Sequence, residues 1–178
     1  AIEPEADNVR ALEHRLEKAS FTERVEIIRA AAADSDGEAF LKINPDHPGD
    51  HRISEEGIPI RLLTLDSLLD ARDVPSISLV KIDVQGAETK VIDGASAMLA
   101  KYSPALFVEI DDGALKEMGS SARRLLDLIT GFGYTIHTLK KDGPSRALSV
   151  DDVMAAIMVQ GAYMDCLFLP GETPQLRT

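Results

Sequence analysis

The sequence predicts an α/β fold, a doubly wound and mostly parallel sheet. Three observations carry that expectation. Strand-like and helix-like segments alternate along the chain. The strongest strands, 78–84 and 105–110, are apolar almost throughout rather than at every second residue. Between them, apolar residues fall on one helical face. A strand that is apolar on both sides is covered on both sides, as in a parallel sheet with crossover helices.

The elements follow in order. Asp7 or Asn8 caps a helix that carries Val9, Leu12 and Leu16 on one face and runs to about residue 19. Residues 25–29 form a short strand, and 30–37 turns small and acidic before the Asp36-Gly37 turn signal. Residues 38–60 hold three prolines and two glycines, and read as loop with a short strand at 39–43. Thr64 then caps a short helical turn within 62–69. Gly86 breaks the strand 78–84, after which Val91, Ile92, Ala95, Met98 and Leu99 share one face of a helix ending near Tyr102. Pro104 stops that helix, and the strand 105–110 closes on Glu109, Asp111 and Asp112. A helix with Leu125, Leu126 and Ile129 starts at Ser120 or Ser121 and ends at 131–133. Residues 134–139 form a strand. Ser149 and Asp152 open a helix over 149–159 in capping-box spacing, and 163–169 is the last strand.

A chain of 178 residues makes one domain with room for a sizeable core. Lys and Arg total 19 against 30 Asp and Glu, a net charge of −11, which disfavours nucleic acid and anionic membranes as partners. No apolar run approaches the roughly 20 residues of a membrane helix. The single cysteine, Cys166, excludes an intrachain disulfide and a cysteine zinc cage, and suits a reducing cytoplasm. The chain opens Ala1-Ile2-Glu3-Pro4, without initiator Met or signal core, which reads as a trimmed start or a piece of a longer chain.

Ligands of an open parallel sheet bind just past the carboxyl ends of its strands. The residues there are Glu3, the segment Ala31 to Asp34, Asp83 with Gln85 and Gly86, and Glu109 with Asp111. An acid closing a strand before a helix accepts hydrogen bonds from both hydroxyls of a ribose. Glu3 has that place if Ala1-Ile2 ends a strand, and is otherwise a solvated terminal residue. Asp83 faces a ligand, caps the next helix, or does both, while Lys81 reads as an edge or snorkelling residue. His47 and His51 are four apart in a Pro/Gly loop, where that spacing has no helical meaning, so a metal pair is disfavoured. No nucleophile elbow, phosphate loop or zincin motif occurs, and nothing calls for a metal.

Four blocks then carry a resemblance: Leu65-Asp66-Ser67-Leu68-Leu69, Leu79 to Glu88 (LVKIDVQGAE), Val91-Ile92-Asp93-Gly94-Ala95, and Pro104 to Ile110 (PALFVEI). In this order and spacing they resemble the FkbM family of S-adenosylmethionine-dependent methyltransferases. Ile2-Glu3-Pro4, Ala31 to Gly37 and Asp165 to Pro170 extend the similarity over nearly the whole chain. The visible departure is Gln85, where the family usually has Glu.

The resemblance implies a Rossmann-like class I methyltransferase sheet of seven strands with the last antiparallel. It implies S-adenosylmethionine as cofactor, with Glu3 on its ribose, Ala31, Ala32, Ala33 and Asp34 along its adenine, and Asp83 facing its methionine part and the substrate. The expected activity is O-methylation of a hydroxyl on a sugar, polyketide or related small molecule. A general base must take the hydroxyl proton; Asp83 is the first candidate, with His51 and Glu109 behind it. Such enzymes begin with a strand ending in a Gly-rich turn, yet the first glycine here is Gly37. The expectation is therefore a single methyltransferase domain over 1–178 that is incomplete at its N-terminus. The absent strand would lie between the one ending at Glu3 and the one ending at Asp83. Two other readings share the fold: a degenerate, non-catalytic binding domain, and an NAD-dependent oxidoreductase, for which the chain offers no Tyr-Lys pair.

Overall fold

The computed structural model describes residues 1–46, 51–161 and 163–171. His47, one member of the histidine pair considered above, lies outside them. Among the described residues the first half runs α1 (Ala6–Ala19), a 3-10 turn (Thr22–Arg24), β1 (Ala31–Ala32), β2 (Gly37–Lys42), β3 (Arg52–Ser54), β4 (Ile58–Leu63) and α2 (Leu65–Asp70). It continues with β5 (Leu79–Ile82), α3 (Glu88–Asp93), α4 (Ser96–Tyr102), β6 (Ala105–Ile110), α5 (Asp112–Glu117) and α6 (Ala122–Gly131). The last elements are β7 (Tyr134–His137), β8 (Leu139–Lys140), β9 (Gly143–Pro144), α7 (Val150–Gln160) and β10 (Met164–Pro170).

The strands form two four-stranded sheets, in the orders β1-β4-β2-β3 and β5-β6-β10-β7, and a small β8-β9 hairpin. Only β1–β4 and β5–β6 pair in parallel; the remaining strand pairs are antiparallel. The α/β class stands, but the doubly wound, mostly parallel sheet is corrected to two mixed sheets. Apolar content reports burial and is silent on strand direction. β6 shows how little it said even of burial: Leu106, Val108 and Ile110 are fully buried, while Ala105, Phe107 and Glu109 between them are half-buried. One face of the second sheet is covered and the other is only partly so. As expected of the last strand, β10 runs antiparallel, between β6 and β7.

The expected short strand at 39–43 is present as β2, but the loop read over the rest of 38–60 is the largest local correction. Its described residues add β3 and the start of β4, which flank β2 on opposite edges. Residues 55–57 carry the chain across β2, so close that a Cβ on Gly57 would lie 2.1 Å from the Leu41 carbonyl oxygen. Pro59 is tolerated because β1 pairs β4 only at Leu62 and Leu63, which leaves its nitrogen no partner to miss. The expected strand 25–29 shrinks to one parallel bridge, Ile2 to Ile28.

Helix ends follow local chemistry where the partners are local. Thr64, Ser121 and Ser149 accept N–H bonds as N-caps, and Ser149 with Asp152 completes the capping box. The cap of α1 is Glu5, not Asp7 or Asn8: its carboxylate accepts the Asn8 N–H at 2.7 Å. The single helix expected to end at Tyr102 is two, α3 and α4, and Asp66 accepts the N–H groups of Ala97 (2.9 Å) and Met98 (2.8 Å) at the start of the second. That cap comes from 31 residues away, so no local spacing announces it.

The main core joins the covered face of the second sheet to α3, α4, α5, α6 and α7, with Ile92, Leu99, Leu115, Leu126, Ile129 and Phe168 sealed from water. Each such side chain contributes roughly 1.5–3 kcal/mol on burial. A smaller cluster of Ala31, Leu41 and Ile60 serves the first sheet. No described helix is long and apolar enough to cross a membrane.

Candidate functional site

The two sheets are not hydrogen-bonded to each other, and an edge of each region lines one cavity of about 570 Å³. On one side, Ile28 N–H donates to Ala1 O (2.8 Å) and Glu3 N–H donates to Ile28 O (3.1 Å). The alternation of a parallel ladder turns the N–H and C=O of Ile2 the other way. On the other side β5 is a sheet edge. Its Ser78 O accepts from Ala105 N–H (3.0 Å), so Leu79 and Lys81 direct their backbone groups away from β6. Leu79 is 57% exposed there, unusual for an apolar residue of a core strand.

Two chemistries line the cavity. Ile2, Ile28, Leu79, Val80 and Ile82 supply an apolar stretch along the strand edges. Glu3, Asn8, His51, Lys81, Asp83 and Gln85 supply a polar set, of which Asp83 and Gln85 follow β5 and Glu3 follows the Ile2 bridge. Glu3 is oriented before any ligand arrives: its Oε1 accepts the Glu5 N–H at 2.8 Å and the Asn8 side-chain amide at 3.4 Å. A carboxylate offers about four lone-pair sites, so further donors can still be accepted. Asp83 bonds Lys81 Nζ through Oδ2 (2.7 Å) and Gln85 Nε2 through Oδ1 (3.4 Å). Gln85 is therefore a neutral donor beside Asp83, where a glutamate would bring a second negative charge.

The turn after β5 is strained and braced. Gln85 has φ 51° and Gly86 φ 98°, and a non-glycine residue in the left-handed region costs about 1–3 kcal/mol. A Cβ on Gly86 would lie 2.3 Å from the Ala114 carbonyl oxygen of α5, so only glycine fits. The buried Glu88 carboxylate accepts the N–H groups of Val84 (3.1 Å) and Gly86 (3.2 Å) through one oxygen. Burial pushes the Glu88 carboxyl above the usual glutamate range; those backbone bonds oppose the shift and the Asp83 charge adds to it.

Of the residues nominated from the sequence, Glu3, Ala31, Ala32, His51 and Asp83 meet around the cavity. Asp34 and Glu109 are outside its lining. Asp34 is exposed, one residue beyond the buried Ala33. Glu109 continues the β5–β6 register opposite Asp83 and pairs across the sheet with Asp165. Partial burial raises its carboxyl, and the charges of Asp83, Asp165 and Glu88 raise it further against Lys81. His51 takes a specific form: the Asn44 N–H donates to its Nδ1 at 3.1 Å, so the neutral ring carries its proton on Nε2. In that arrangement His51 is a hydrogen-bond donor, not a proton acceptor. Among the described residues no group of three or more His, Cys, Asp or Glu side chains is placed to hold a metal ion.

Sequence reasoning passed over Asn8 and Glu88 as site residues. Asn8 was legible only as a possible helix cap, and Glu88 only as a helix start. The signal for Glu88 was a carboxylate two residues after a glycine that ends a strand.

Comparison with known proteins gives a consistent answer. The methyltransferase FkbM domain matches residues 1–136. The hexuronic acid methyltransferase AglP of Haloferax volcanii is 30% identical over 115 residues, covering 64% of this chain and 47% of that protein. The chain thus spans about half the length of that relative. The crystal structure of methyltransferase FkbM from Methylobacillus flagellatus shares the fold with a TM-score of 0.53 at 18% identity, covering 94% of this chain and 35% of that one. With a domain match that takes in every strand and helix around the cavity, this chain belongs to the FkbM methyltransferase domain family.

Proposed function

We propose that the protein transfers a methyl group from S-adenosylmethionine to a hydroxyl oxygen of a small molecule, a sugar or a polyketide-like compound, in the cytoplasm. Residues 1–178 would form the greater part of its single methyltransferase domain. The observation that carries the reading is the cavity between Ile2 and β5, with an oriented carboxylate on one side and Asp83 on the other. The polar side of that cavity, about 570 Å³ in all, is where such a ligand would sit. When bound, that donor supplies a methyl group already activated on a sulfonium, so the protein has chiefly to position the reactants.

The residues divide that work. Glu3 accepts the ribose hydroxyls, and Ala31 and Ala32 give a flat wall for adenine with Asp34 at its rim. Asp83 takes the proton of the acceptor hydroxyl, a role worth about 10²–10⁴ in rate. His51 donates to the acceptor through Nε2, and Glu109 stands behind Asp83 as a second carboxylate. The apolar, strand-edged part of the cavity fits something else: a further β-strand of the full protein, pairing with Leu79 and Lys81 on one side and Ile2 on the other. Each edge otherwise presents unpaired backbone N–H and C=O groups, a ready template for a further strand. A chain of net charge −11 has no use for a phosphate backbone, so the acceptor is not nucleic acid.

Calorimetric titration of S-adenosylhomocysteine tests this in two versions, residues 1–178 and the same chain extended upstream by about 60–100 residues. Binding by the longer version alone supports both the cofactor and the inserted strand. Equal binding by both overturns the strand, and binding by neither overturns the cofactor and leaves a non-catalytic domain. Methyl transfer to a hexuronic acid, the acceptor class in the archaeal relative's name, is the first activity to assay.

A further inference from the structure

We propose that Glu88 is the positioning residue of this site, a buried latch that holds the turn from Asp83 to Gly86 so that Asp83 and Gln85 line the cavity. The proposal rests on the functional reading above for its consequence, but not for its geometry. Glu88 is only 3% exposed, one of three buried polar or charged residues among those described. Its Oε1 takes two backbone N–H groups that flank Gln85, the residue held at φ 51°. A single acceptor thereby spans the strained residue and holds the Asp83–Val84 and Gln85–Gly86 peptide planes. The turn is fixed from outside as well, because Gly86 lies against the Ala114 carbonyl.

What sets Glu88 apart from an ordinary helix-start acid is its second oxygen. Oε2 is buried and has no hydrogen-bond partner among the described residues. An acid placed merely to favour the N-terminus of α3 sits in water, where it costs nothing to keep. Here the fold buries a carboxyl that it only half satisfies, near the charges of Asp83 and Glu109, and what the carboxyl secures is the turn bearing Asp83. Asp83 in turn spends one oxygen on Lys81, which β5 holds in place, and the other on Gln85, which the turn holds. Loosening the turn swings Gln85 away and leaves Asp83 free to rotate toward Lys81 alone.

The test compares Glu88→Gln and Glu88→Met in the full-length protein. Glutamine keeps an oxygen that accepts both N–H groups; methionine has similar length and accepts neither. Hydrogen exchange at Val84 and Gly86 and the affinity for S-adenosylhomocysteine are read together, with a core variant, Ile129→Val, as control for lost stability. Expected are exchange at least about tenfold faster and affinity about tenfold weaker for Glu88→Met, near-wild-type values for Glu88→Gln, and unchanged affinity for Ile129→Val. Unchanged exchange at these two amides in Glu88→Met overturns the latch. So does a Glu88→Gln variant as impaired as Glu88→Met, which would make the charge and not the bonds responsible. Exchange needs no ligand, so a wild-type protein that binds nothing refutes the functional reading while the latch is still judged on its own.

Discussion

A methyl group added at Gly94 should unsettle the wall of the cavity from a distance. Gly94 closes α3 at φ −82°, a conformation open to any residue, so space alone forbids a side chain. A Cβ there would lie 2.0 Å from the Ala33 carbonyl oxygen and 3.0 Å from its carbon, backbone atoms that cannot rotate aside. Ala33 is itself tied by its N–H to Leu63 O at 2.8 Å and follows the two alanines that line the cavity. Gly37 is the matched control, since it too has an ordinary backbone and a Cβ there meets nothing within 4 Å.

Both Gly→Ala changes reduce the freedom of the unfolded chain equally, which by itself stabilises by about 0.4–1 kcal/mol. Overpacking against a rigid neighbour costs about 1–3 kcal/mol, and only Gly94→Ala incurs it. The entropic part cancels between the two variants. They should therefore differ by about 1–3 kcal/mol, or roughly 2–12 °C in melting temperature for a chain of this size. Thermal unfolding followed by circular dichroism measures this, and urea titration checks that the slope is unchanged. Gly94→Ala should also bind S-adenosylhomocysteine more weakly than Gly37→Ala. A Gly94→Ala protein that melts at or above Gly37→Ala refutes the close contact and the argument built on it.

The other predictions are more local. Glu88 holds its proton more tightly folded than unfolded, so the stability it contributes is present at low pH and is lost as pH rises through its raised value. The melting temperature of Glu88→Gln relative to wild type should accordingly rise from pH 4 to pH 7, and a gap that shrinks would contradict the sign. Asp66→Ala removes the two-bond cap of α4 and should cost about 1–2 kcal/mol in urea unfolding, with Asp66→Asn recovering part of it. Cys166 is fully buried and its thiol is pushed up to about 12, chiefly by burial. Ellman's reagent should leave it untouched in the folded protein and titrate it in urea; rapid labelling without denaturant would contradict its placement.

Much of the site was legible because its residues announce themselves by what they interrupt. Asp83 stands at the end of an apolar run, and Glu3 between an apolar residue and a proline; both reached the cavity. Asp34 and Glu109 met the same criterion and did not, because a strand end fixes distance along the chain and not the strand's place in the sheet. Glu109 shares a face with Asp83 but lies one strand further from the open edge. His51 reached the cavity with its Nδ1 already accepting the Asn44 N–H, a contact from seven residues before it that no spacing announced.

The family motifs divide in the same way. The block that opens at Leu65-Asp66 proves to be wiring: Leu65 is buried and Asp66 caps α4, while Thr64 just before it caps α2. Gly94 is there for its closeness to Ala33. Such residues carry a strong sequence signature because several tertiary contacts converge on them, and the signature names the family without saying which members touch a ligand.

By itself, the sequence determined what local physics can settle: which segments are apolar enough to be buried, where Ser149, Ser121 and Thr64 start helices, and that α and β alternate. It also determined the family, through motif order. Strand direction, the crossing of β2 by residues 55–57, the remote cap on α4 and the half-covered face of the second sheet were decided only in three dimensions. Each depends on backbone hydrogen bonds or close approaches between residues far apart in the chain, and a backbone N–H carries no mark in the sequence of which carbonyl it will find.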